Sequence, residues 1–180
     1  MSSSTTITSE PPSEWNYTDS DIAHKFLFFN VLKDGRVHIL LPSPPEVPPS
    51  YGSTYGVSVK DVEITTDVSV RVFLPSSASS TTEKLPVLLY IHGGGFCMLS
   101  AFAEEYTRLC SIIASQSNVI IVSVDYGIFP ARPLPACYDD SWAALQWLAS
   151  TSEPWINTTP IVAGSSSAGI LQEGTSLTPY

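Results

Sequence analysis

The run Leu85-Pro86-Val87-Leu88-Leu89-Tyr90-Ile91 is apolar throughout and ends on His92-Gly93-Gly94-Gly95-Phe96. An unbroken apolar run of strand length reads as a strand buried on both faces, which is the habit of parallel sheets. Residues 119–124 form a second such run, and Ile161-Val162-Ala163 a shorter third. Between the first two, residues 104–115 place Tyr106, Leu109, Ile112 and Ile113 at helical spacing. Between the second and third, Asp139 can cap a helix reaching Ala149, with Trp142, Leu145 and Leu148 on one face. Ahead of these, residues 36–41, 57–64 and 68–74 alternate as strands do, and Asp34-Gly35 is a turn signal. Alternating strands followed by a β-α-β-α-β series predict an α/β chain whose sheet starts mixed and becomes parallel.

Near the N-terminus, Asp19 or Ser20 can cap a helix running through Ile22, Phe26, Leu27 and Phe29. Its apolar face needs something to cover, so residues 19–45 read as a cap segment. Residues 1–18 are a Ser/Thr/Pro-rich tail expected to be disordered. The partial α/β domain then extends over 19–170, and 171–180 is an atypical tail.

A chain of 180 residues can bury a core, and 43% hydrophobic against 14% charged residues is too apolar for overall disorder. The net charge of −9 comes with no basic stripe, which argues against nucleic acid and anionic membrane surfaces. No Lys or Arg follows Arg132, so the final third is apolar and weakly acidic. The three cysteines, Cys97, Cys110 and Cys137, match no zinc spacing and read as reduced, buried thiols. The N-terminus has neither a basic start nor an apolar run, and no stretch is long enough to span a bilayer. The expected compartment is the cytoplasm.

Three glycines at the carboxyl end of a buried strand bring bare backbone N–H groups there. They could serve as a plain turn, but an oxyanion cradle is the better use of their conformational cost. His92 is expected to hold this loop rather than act as a base. Gly164-Ser165-Ser166-Ser167-Ala168-Gly169 also follows a short apolar run and resembles a Gly-x-Ser-x-Gly nucleophile turn. Gly164 and Ser166 fit its first positions, with Ala168 replacing the last glycine. The frame one residue later fits Ser167 and Gly169 but lacks the first glycine. Ser166 is the preferred nucleophile and Ser167 the alternate; a flexible Ser/Gly loop is the plain reading.

These features resemble the plant carboxylesterases of the hormone-sensitive-lipase-like group of α/β-hydrolases. The resemblance runs from about Ile22 to Gly169. It includes Lys33-Asp34-Gly35-Arg36-Val37, Val70-Arg71-Val72-Phe73-Leu74-Pro75, Val122-Ser123-Val124-Asp125-Tyr126 and Pro133-Leu134-Pro135-Ala136-Cys137-Tyr138-Asp139-Asp140. It implies the N-terminal half of an α/β-hydrolase fold with an N-terminal cap helix, and hydrolysis of a small-molecule carboxylic ester. Gly94 and Gly95, with the amide of Ser167, would form the oxyanion hole supported by His92 and Gly93. The family needs no metal or organic cofactor. Family members usually carry Asp where Ser165 stands, and Tyr-Arg-Leu-Ala-Pro-Glu where this chain reads Tyr126-Gly127-Ile128-Phe129-Pro130-Ala131.

The serine's base and orienting acid follow it along the chain in this architecture. Here His24, His38 and His92 all precede it, and Glu173 is the single acid after Ser167. The chain is therefore expected to be truncated after the nucleophile turn, inactive as it stands, and poorly stable. An open sheet edge would favour self-association. The rival readings are a non-catalytic hormone-type receptor, an isoflavonoid dehydratase-like protein, and a non-catalytic isoform that pairs with other chains.

Overall fold

A computed structural model describes residues 16–41, 44–79 and 85–156, together with the backbone of Ile161–Ala163. In chain order the elements are β1 (Ile22–Lys25), β2 (Phe29–Leu32), β3 (Val37–Ile39), β4 (Val57–Glu63), β5 (Ser69–Pro75), β6 (Val87–Ile91), α1 (Glu104–Ser117), β7 (Ile120–Asp125), α2 (Ala136–Ser150) and β8 (Ile161–Ala163). The larger sheet has the order β4-β5-β7-β6-β8. β4 pairs antiparallel with β5, and β5 with β7. β7 then pairs parallel with β6, and β6 with β8. The expected passage from mixed to parallel falls at β7.

Side-chain alternation along the strands separates two cores. Val70, Val72, Val87, Leu89, Val122 and Val124 pack beneath α2 residues Cys137, Ala144 and Leu148. Val57, Phe73, Tyr90 and Ile121 pack beneath α1 residues Cys110 and Ala114. The central strands are thus covered on both faces, which is why their sequences are apolar without alternation.

The helices exist where the periodicity puts them, and Leu148 is buried with Tyr106, Ile113 and Leu145 packed against the cores, but the rest of the inward stripes differs from expectation. In α1 the buried residues are Thr107, Cys110, Ser111 and Ala114, while Leu109 is exposed. These small residues let the helix lie close to the sheet, and Thr107 Oγ1 accepts a 2.8 Å hydrogen bond from the Arg71 guanidinium. In α2, Trp142 points outward and the buried set is Cys137, Asp140, Ala144 and Leu148. The helix also begins at Ala136, a turn ahead of Asp139.

The N-terminal cap helix is not formed. Asp19–Asp21 is a single 3-10 turn, and the following residues enter strands β1 and β2. β2 bonds to β1 on one side and to β3 on the other, forming a separate three-stranded sheet. That double pairing, with the rings of Phe28 and Phe29 seated on the larger domain, outweighs the helical spacing of Ile22, Phe26 and Phe29. The Asp34-Gly35 turn closes the β2–β3 hairpin as expected. Tyr17 and Thr18 are tied down: Tyr17 Oη bonds to His38 Nδ1, and Thr18 caps Asp21. The expectations for residues 1–15, for the nucleophile turn at 164–169 and for the 171–180 tail lie outside the described residues.

Arg71 sits in β5, 2% exposed. Its Nε and Nη2 donate to the two Asp61 oxygens at 2.7 and 2.9 Å, and Nη1 donates to the Val47 carbonyl and to Thr107 Oγ1. A guanidinium this deep needs every donor direction met, and β4, α1 and the 45–47 segment supply the partners. That segment is tied in turn to the entry of α1, with Val47 N–H donating to Phe102 O and Glu104 N–H to Pro45 O.

Candidate functional site

The two parallel crossovers run in opposite directions, the first leaving β6 and the second leaving β7. α1 leads to β7 on one side, and α2 leads back over to β8 on the other, on the opposite face. Ligands of open α/β sheets bind in the crevice outside the carboxyl ends of strands at such a reversal. Here that position is the end of β6, where His92, Gly93, Gly94 and Gly95 follow Ile91.

The backbone folds back on itself at this point. Gly94 O accepts from the N–H groups of Cys97 and Met98 at 3.2 and 3.1 Å. Gly94 has φ +135, and a Cβ there would lie 2.0 Å from Met98 O, so only glycine fits. Gly95 has φ +61, and a Cβ would lie 3.0 Å from Cε2 of Phe28. Among the described residues, no group accepts from the Gly94 or Gly95 N–H. Two amide donors without partners among the described residues thus sit at the carboxyl end of a central strand. The turn also holds two non-glycine residues at positive φ, Phe96 at 63° and Leu99 at 71°.

His92 is 3% exposed and lies flat on Tyr126, with centroids 4.2 Å apart and an interplanar angle of 11°. Its carbonyl accepts from Tyr126 Oη at 2.8 Å. Nδ1 lies 2.7 Å from Gly93 O; a carbonyl can only accept, so Nδ1 carries the proton. Burial pushes the imidazole below its ordinary pKa, so the ring is neutral at pH 7 and Nε2 is an acceptor. No described group donates to it. Both the ring and the carbonyl of His92 hold contacts at the start of the turn.

Sequence reasoning assigned no role to Asp125, at the end of β7. Its Oδ1 accepts from Ala101 N–H at 3.0 Å and so anchors the segment linking the glycine turn to α1. Burial raises its pKa to about 6; the Ala101 bond and Arg71 oppose the shift, while Glu46 and Asp61 add to it. The folded-state pKa lies above the unfolded value, so the folded state binds the proton more tightly. The stabilisation is fully present below about pH 4 and is lost as pH rises through about 6. Asp125→Asn keeps the acceptor and removes the titration. Thermal melts across pH 4 to 8 are expected to show the wild type losing stability relative to this variant through that window. A constant difference would show that Asp125 is not the titrating group.

Aromatic rings run along the same side. Phe26 stacks on Phe29 at 4.6 Å, Phe29 packs on Phe129 at 4.9 Å, and Phe129 N–H donates to Phe96 O at 2.8 Å. Phe96 in turn faces Tyr138 of α2 at 5.8 Å. Beside them, Asp140 accepts from Gly127 N–H and from Arg132 Nη2, each at 2.8 Å. A Cβ at Gly127 would lie 2.3 Å from Arg132 Cδ, so the Arg132 side chain occupies the space that a residue at 127 would need.

The structure thus brings His92, Gly93, Gly94 and Gly95 into one turn. Ser166 and Ser167 lie outside the described residues. β8, which leads to them, runs parallel to β6 with Ala163 level with Leu89, so both strands end at the same edge of the sheet. Among the described residues, no group of three or more His, Cys, Asp or Glu could hold a metal ion. No helix among them is long and apolar enough to cross a membrane.

Residues 88–178 match a family model described as an alpha/beta hydrolase fold. The chain is 43% identical over 137 residues to 2-hydroxyisoflavanone dehydratase of Glycyrrhiza echinata, covering 70% of this chain and 42% of that protein. It is 40% identical over 151 residues to probable carboxylesterase 13 of Arabidopsis thaliana, covering 77% of this chain and 46% of that protein. Among solved structures, esterase LipW from Mycobacterium marinum superposes with a TM-score of 0.53 at 25% identity, over 64% of this chain and 36% of that one. The chain spans less than half the length of these curated relatives.

Proposed function

The chain belongs to the α/β-hydrolase family, and from that premise we propose that the whole protein is a serine-type carboxylic ester hydrolase. The observation that carries this reading is the pair of amides at Gly94 and Gly95, which have no acceptor among the described residues and sit at the crevice end of β6. Ser166 Oγ attacks the ester carbonyl carbon and gives its proton to a histidine base. The carbonyl π electrons move onto oxygen, where the Gly94, Gly95 and Ser167 amides receive the charge. Collapse of that intermediate expels the alcohol, and water then releases the acid. Ser167 is the alternate nucleophile. The substrate is a small-molecule ester. The three cysteines, buried and unpaired, support a reducing compartment such as the cytoplasm. The outer edge of β8, unpaired among the described residues, supports self-association of the 180-residue chain.

None of the chain's three histidines is the base in this scheme. His24 is exposed on β1, His38 is engaged with Tyr17, and His92 is buried. The 180 residues alone are therefore expected to hydrolyse 4-nitrophenyl butyrate no faster than solvent does. In a chain that carries the triad's Asp and His, Ser166→Ala is expected to cut kcat by about a thousandfold or more. Activity that survives this substitution would move the nucleophile to Ser167 or end the reading. A second reading, loss of water from a hydroxylated substrate, is favoured by the dehydratase relative. Product analysis separates the two, since only hydrolysis yields a carboxylic acid.

A further inference from the structure

Phe96 stands immediately after the second free amide and has φ 63°, a conformation that a bulky side chain adopts only at a cost and that glycine would adopt freely. Three glycines precede it, so the sequence here accommodates residues without side chains; at this one position it keeps a ring in a strained backbone. The ring does not fill the core. Phe96 is 41% exposed, and its one ring neighbour among the described residues is Tyr138, itself 61% exposed. Strain retained for an exposed ring beside two unpartnered donors is an outlier that points to use by a ligand.

We propose that Phe96 is a specificity-determining residue that stacks the ring of a substrate whose carbonyl is conjugated to, or carried next to, a planar aromatic group. The inference rests on the oxyanion reading of Gly94 and Gly95. The amides take the carbonyl oxygen, and Phe96, one residue on, offers its face to whatever the carbonyl bears. The Phe28 ring lies 3.0 Å from the position of a Gly95 Cβ, and the Phe129 backbone N–H donates to Phe96 O at 2.8 Å while its ring packs on Phe29. Asp140, two residues beyond Tyr138, is buried and paired with Arg132. The ligand moiety that an aromatic face fits is flat.

The test uses the 180-residue chain and two non-hydrolysable carbonyl probes of similar size, benzamide and cyclohexanecarboxamide, titrated by ligand-observed NMR. The wild type is expected to bind benzamide about three- to tenfold more tightly, the range of an aromatic pair contact. Phe96→Gly relieves the backbone, so its melting temperature is expected to hold or rise while the preference falls below twofold. Phe96→Leu keeps apolar bulk without a π face and is expected to lose the preference as well; Phe96→Tyr should retain it. Equal binding of the two probes by the wild type, binding of neither, or a preference that survives in both Phe96→Gly and Phe96→Leu would overturn the proposal. Ester hydrolysis and its loss in Ser166→Ala are scored separately, in a chain that carries the triad's Asp and His. An aromatic preference in the 180-residue chain without hydrolysis by that longer chain leaves Phe96 in place and removes the esterase reading, and hydrolysis by the longer chain without the preference does the reverse.

Discussion

Gly94→Ala is expected to cost about 3–5 kcal/mol of stability, combining a backbone conformation hostile to side chains with a collision against main chain. The added Cβ would meet Met98 O at 2.0 Å, and that oxygen belongs to a backbone that cannot swing aside as a side-chain tip can. The turn would have to open, breaking the bonds from Cys97 and Met98 to Gly94 O. Urea unfolding of the two proteins measures the loss. Amide hydrogen exchange should also show Cys97 and Met98 losing protection together. A loss below about 1 kcal/mol would mean that the turn does not close in the way described.

Arg71→Met is the second large effect, expected at about 2–4 kcal/mol once the partial exposure of Asp61 is allowed for. Methionine approximates the arginine stem, so little of the loss is packing. What remains is an Asp61 carboxylate without its bidentate partner, together with the unmet Val47 carbonyl and Thr107 hydroxyl. Asp61→Leu combined with Arg71→Met removes both charges and should recover a good part of the loss, as uncompensated charge is the costlier state. If the double variant is no better than the single one in chemical denaturation, the cost lies in the anchoring of the 45–47 segment.

The strands of the parallel half were legible because burial on both faces leaves a plain mark, an unbroken apolar run. Residues 85–91 and 119–124 needed no partner to be read. The glycine turn was legible for a related reason, since few backbones need three glycines in succession. What failed was the choice of face and of local state. Leu109 and Trp142 lie on helical stripes that look apolar, yet Thr107, Ser111 and Asp140 are the residues that face inward. Two of these polar residues have a task set by tertiary contact: Thr107 accepts from Arg71, and Asp140 accepts from Arg132 and Gly127. The N-terminal segment read as a helix because Ile22, Phe26 and Phe29 share a helical face, but the pairing of β2 on both its edges was invisible at short range. Asp125 offered one signal, a carboxylate ending an apolar strand just where parallel strands present their functional ends. Nothing local indicated that Phe96 would take a positive φ.

Residues 127 and 132 share a single volume, and this bears on how the chain could have changed over time. An arginine reaching Asp140 from position 132 leaves no room for any side chain at 127, and a side chain at 127 would push that arginine out. A lineage cannot pass from one arrangement to the other through independent single steps without crossing an intermediate that either overcrowds the loop or leaves the Asp140 carboxylate buried beside fewer donors. The two sites are coupled, so a substitution made at either of them alone is expected to cost more than the same substitution made with its companion.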